Sequence, residues 1–139
     1  MFQKILVPVD LTERSLAAVD LAYELATQFE AEVTLMHVVE TIEHLAFDEL
    51  KNFYERLEAS ARSGLQEFAE RFVAAELQVS QAVVYGHRTQ AIVDYAIANS
   101  RDLIVMASHR IDPDRPGHDW SSISYAVAIM APCPVLLVK

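Results

Sequence analysis

The chain has 139 residues, 53% apolar and 22% charged, with a formal net charge of −9. This predicts one globular domain, residues 1–139, burying roughly two-thirds of its unfolded surface without a metal or disulfide staple. Cys133 is the single cysteine, which excludes intramolecular disulfides and a cysteine metal cluster and suits a reducing, cytoplasmic compartment.

MFQKILVPVDL opens the chain with an apolar run broken by Pro8. It is too short for a membrane span and shows no signal-peptide cleavage site, so no membrane insertion is expected. Lys4–Val9 predicts a buried strand. Thr12–Phe29 predicts an amphipathic helix with Leu16, Val19, Ala22, Tyr23 and Ala26 inward. Asp10 and Thr12 are its candidate caps, with Glu13 placed to complete a capping box on Asp10. Glu32–Val39 is the second strand. Residues 42–75 carry helical spacing through Phe47, Leu50, Tyr54, Leu57, Ala61, Leu65, Phe68 and Phe72. A helix of ~30 residues would be ~45 Å long, so its front is expected to overhang the sheet or break into a loop. Gly64 mildly weakens it.

Gln78–Tyr85 is the third strand, ended by Gly86. Thr89–Asn99 is a helix capped by Thr89, with Ile92, Tyr95 and Ala96 inward. Asp102–Ala107 is the fourth strand, Ser121–Met130 the last helix and Pro134–Val138 the fifth strand. Strands alternating with helices imply right-handed crossovers, hence an α/β fold with a parallel sheet covered on both faces. The ligand crevice of such a sheet opens beyond the carboxyl ends of the strands where strand order reverses.

Pro134–Val138 has no later element to cover its edge, and SSISYAVAIM is apolar nearly all round. Both predict a homodimer through the last strand, paired across a two-fold axis. The alternative is a monomer whose edge is blunted by Pro132, Pro134 and Lys139. Residues 1–85 hold six Lys/Arg against fifteen Asp/Glu, whereas residues 86–139 hold five of each. Nucleic acid is therefore not an expected partner. An anionic small ligand fits only the neutral part, with Arg88, Arg110, Arg115, His109 and His118.

ILVPVD, LMHVV, YGHRTQAIVDYA, DLIVMASHR and APCPVLLV resemble the signature pieces of the universal stress protein family, in that family's order and across the whole chain. The resemblance implies an open five-stranded parallel sheet in order 3-2-1-4-5, Rossmann-like and similar to the adenine nucleotide alpha hydrolases. It also implies dimerisation through the last strand and a stress-response binding or regulatory role without catalysis. ATP or another adenine nucleotide, with Mg²⁺, would sit at Pro8, Val9, Asp10, Val38, Gly86, Met106, Ala107, Ser108, His109, Arg110, Ser121, Ser122 and Ile123. The family's ATP motif has glycines where this chain has Ala107, Arg110 and Ser121, and the intervening insert is one residue longer. Those losses remove close backbone approach to phosphate. Asp112, Asp114 and Asp119 would repel a triphosphate, while Arg110 and a serine-capped helix would favour one. Three readings stay open: a degenerate nucleotide site in a regulatory dimer, a slow ATP hydrolase, and a ligand-free interaction module.

Other signals read as structural. His37 is a satisfied core histidine. His109, His118 and Asp119 match no closed metal spacing. Cys133, between two prolines, has no base to make it a nucleophile. Ser121 and Ser122 lack the hydrolase elbow.

Overall fold

Side chains of β1 (Lys4–Pro8) alternate between two hydrophobic layers. Ile5 and Val7 join one buried cluster and Leu6 the other, with the period of two that a strand imposes. The structure, a computed structural model, describes residues 1–42, 47–110, 114 and 122–139. Among these, β2 (Glu32–Glu40), β3 (Val79–Gly86), β4 (Leu103–Ala107) and β5 (Val135–Val138) join β1 in one sheet of order β3-β2-β1-β4-β5. Every pairing is parallel, as expected.

Helices α1 (Leu16–Phe29) and α2 (Lys51–Ala74) cover one face. Ala18, Val19, Ala22 and Ala26 of α1 pack with Leu65, Ala69 and Phe72 of α2 over Ile5, Val7, Leu35 and Val105. Helices α3 (Arg88–Ala98) and α4 (Ile123–Met130) cover the other, where Ile92, Ala96 and Val127 meet Leu6, Met36, Ile104 and Met106. Thr34, buried in β2, is satisfied by Ser80 at 2.9 Å.

Several local expectations change. α1 is preceded by a 3-10 turn, Glu13–Ser15, and Leu16 faces solvent while Ala18 takes the inward place. Leu57 is likewise exposed on α2. The helical pattern over 42–75 does break at its front, as its length suggested: a 3-10 turn, Phe47–Leu50, precedes α2, and residues 43–46 lie outside the described residues. Thr89 is not a cap, because α3 begins at Arg88 with His87 in the cap position. α4 begins after Ser122, whose hydroxyl accepts from the Tyr125 N–H; Ser121 lies outside the described residues.

Candidate functional site

A cavity of about 590 Å³ opens at the carboxyl ends of β1 and β4. The hydrogen-bond ladder shows why it opens there. β1 stays in register with β2 as far as Pro8↔Met36, and β4 with β5 as far as Ala107↔Val138. β1 and β4 pair only at Ile5↔Leu103 and Leu6↔Ile104. The Lys4 carbonyl accepts from the Asp102 N–H, and the Val9 N–H donates to the Met36 carbonyl. Even-numbered residues of β1 therefore face β4 and odd-numbered ones β2. Pro8 falls on the β4 side, where it has no N–H to give. The two central strands part there.

The β1 wall is organised by Asp10. Its Oδ1 accepts from the Thr12 N–H at 2.9 Å, the Thr12 hydroxyl at 2.6 Å and the Ser15 hydroxyl at 3.0 Å. The Ser15 Oγ in turn accepts from the Asp10 N–H at 3.0 Å. Ser15 thus fills the reciprocal role expected of Glu13. Burial pushes the Asp10 carboxyl up, but the Thr12 hydroxyl and N–H, the Ser15 hydroxyl and nearby Arg14 outweigh it and hold the pKa below its usual value. Leu11, inside this turn, has a left-handed backbone (φ 67°). His37 is partly buried and donates from Nδ1 to the Val9 carbonyl at 2.8 Å. A carbonyl only accepts, which fixes the tautomer.

The β4 wall is a hydroxyl chain. Ser108 Oγ lies 2.8 Å from Ser124 Oγ, which lies 3.2 Å from Ser122 Oγ. The Ser108 N–H donates to the Val138 carbonyl at 2.8 Å. The Tyr125 hydroxyl donates to the His109 carbonyl, and the two rings meet edge to face at 5.6 Å. Lys139 Nζ is 6.0 Å from the Tyr125 ring centroid.

Of the residues expected at a site, Pro8, Val9, Asp10, Val38 and Met106 line this cavity. So do Ala107, Ser108, His109, Ser122 and Ile123. Gly86 and Arg110 do not, and Ser121 lies outside the described residues. Gly86 instead makes the turn into α3 at φ 146°, a conformation that favours glycine. Sequence reasoning passed over Arg14, Ser15, Ser124 and Lys139 as lining residues. Lys139 was reachable, because the residue after a parallel strand lies at the same sheet edge as the crevice. The Cys133 thiol is pushed up by burial and by the Asp102 carboxylate, so it stays a protonated thiol at neutral pH.

Together these features define an open parallel α/β protein with its crevice at the strand-order reversal, the usual place for a nucleotide in such sheets. The model of the universal stress protein family matches residues 1–139, and the chain belongs to that family. It is 29% identical to the universal stress protein YxiE of Bacillus subtilis, with all of both chains covered. The solved structure of UspA from Lactobacillus plantarum superposes with a TM-score of 0.79 at 26% identity, over 99% of this chain and 98% of that one. A universal stress protein in complex with cAMP superposes at 0.75 and 25% identity, over 99% and 97% of the two chains. No helix among the described residues is long and apolar enough to cross a membrane.

Proposed function

We propose that the protein is a stress-response regulatory module that binds an adenine nucleotide in the cleft between β1 and β4 and works as a homodimer through β5. The cleft carries this reading. It has the volume of a small-ligand site, an apolar floor of Val9, Val38 and Met106, and polar groups converging from Asp10 and the serine chain. The structural relative solved with cAMP supports an adenine ligand. Binding rather than catalysis is part of the proposal, as is a cytoplasmic setting, which the lone protonated Cys133 suits. Magnesium is left out of it. Asp10 is the only side-chain carboxylate lining the cleft among the described residues, and its Oδ1 is already occupied by three donors.

The dimer is supported by what the isolated chain exposes. Ile129 is 86% exposed, Met130 49% and Leu136 40%, and β5 is an edge strand. A second copy placed across a two-fold axis would cover all three at once and close the sheet edge without opening a fibre.

Calorimetric titration with AMP, cAMP, ATP and GMP tests the ligand. Saturable heat with an adenine nucleotide and a thermal shift that grows with its concentration are expected. Absence of both at millimolar ligand overturns the reading. Sedimentation at micromolar protein tests the assembly. Wild type should run as a dimer, and Leu136→Lys or Ile129→Glu as a folded monomer. A wild-type monomer refutes the interface.

A further inference from the structure

We infer that the nucleotide's phosphate is held by side-chain cations, Arg14, Arg88 and Lys139, so that the cleft takes a nucleoside monophosphate in preference to a triphosphate. The inference rests on the proposed nucleotide reading and narrows it.

A glycine-rich loop holds phosphate with unspent backbone N–H groups. Here part of that resource is spent. The Ser108 N–H is committed to the Val138 carbonyl at 2.8 Å, and Ala107 and Arg110 on either side of it are not glycines. The Ser122 hydroxyl accepts from the Tyr125 N–H at the start of α4. Charge brought on side chains takes over the part those groups no longer play.

That charge comes from three separate elements. Arg14 stands in the turn before α1, Arg88 is the first residue of α3, and Lys139 follows β5; all three line the one cavity. Among the described lining side chains, three cations stand against the one carboxylate of Asp10, a balance of plus two inside a chain of net charge −9. A phosphate monoester carries about −1.5 to −2 at neutral pH, which matches. A triphosphate brings more negative charge than the cleft can neutralise, and the acidic remainder of the chain repels the surplus.

Arg88 and Lys139 can turn inward at little cost. Arg88 sits 3.6 Å from Glu40, with both side chains about half exposed. Such a surface pair contributes about 0–1 kcal/mol, which a dianion easily outbids. Lys139 reaches over the Tyr125 ring on a flexible stem that can swing a few ångströms toward the serine chain.

The test is calorimetric titration of the full chain with adenosine, AMP, ADP and ATP in chelator, repeated on Arg14→Gln, Arg88→Gln and Lys139→Gln, with circular dichroism to confirm folding. Affinity should fall in the order AMP, ADP, ATP. Each variant should weaken AMP by about tenfold, the loss of one charged hydrogen bond, while adenosine binding is unchanged. If ATP binds as tightly as AMP, or if all three variants bind AMP like wild type while adenosine still binds, the inference fails and the nucleotide reading stands. If neither adenosine nor any nucleotide binds, both fall. Variants that lose adenosine and AMP equally would show a general loss of the cleft and also overturn it.

Discussion

The two walls of the cleft use different chemistry. The β1 wall is built around a charge, with three donors converging on one oxygen of Asp10. The β4 wall is built from neutral hydroxyls, Ser108, Ser124 and Ser122. A carboxylate hub makes stronger bonds than a hydroxyl chain, and it responds to pH where the chain does not. The β1 turn should therefore be the rigid reference of the site and the β4 wall the adaptable one.

Removing the charge breaks that contrast most. Asp10→Ala strands the Thr12 N–H and both hydroxyls and should cost about 2 kcal/mol, read as a lower urea midpoint at pH 7. Asp10→Asn keeps one acceptor oxygen and should lose about half as much. The sign with pH follows from the depressed carboxyl. Its stabilisation is present above the unfolded value of about 4 and disappears as pH falls through the lower folded value. The gap between wild type and Asp10→Asn should accordingly shrink toward pH 2. An equal gap at both pH values means that Asp10 acts through shape and not charge.

Ser124→Ala sharpens the same contrast from the other wall. Its buried hydroxyl bridges two serines that both border the open cleft, so water can replace part of the loss. A cost of about 1 kcal/mol is expected, with no pH dependence between pH 3 and 8. A larger loss, or one that varies with pH, would tie the hydroxyl chain to a titrating neighbour.

The sequence announces the scaffold better than the site. Ile5, Leu6 and Val7 alternate between layers and LIVM is buried as an apolar strand run should be, whereas VLLV, on the edge strand, is only partly covered, so the sheet is legible from period and composition. Helix ends are less so. A left-handed residue, Glu30, follows α1 at Phe29, and left-handed residues also follow α2 at Glu76 and α3 at Ser100. With three glycines in the chain, the usual stop signal is missing from these ends. The cleft residues taken from family motifs, such as Val38 and Ile123, do reach the cavity, yet the cations Arg14 and Lys139 belong to no motif and meet there only because parallel strands end together. Pro8 was expected as lining. Its effect on the β1–β4 ladder depends on which neighbour it faces, which only the hydrogen-bond register reveals.

The smallest expected effect reaches the β1 wall from behind. Replacing a helix-interior glycine by alanine ordinarily gains up to about 1 kcal/mol. At Gly64 of α2, an added Cβ would sit 2.9 Å from Leu11 Cδ2. The obstacle is a side-chain tip, so Leu11 can yield, but Leu11 lies between Asp10 and Thr12 with φ 67° and packs against the buried core. Moving it takes back what the helix gains, and Gly64→Ala should be neutral within about 0.5 kcal/mol. In a Leu11→Ala background the obstruction is gone, and the same substitution should recover its ordinary gain, a non-additivity that a double-mutant cycle in urea measures. Full stabilisation by Gly64→Ala in the wild-type background would mean that α2 does not brace the turn holding Asp10, and the rigidity of the β1 wall would then rest on the Asp10–Thr12–Ser15 bonds alone.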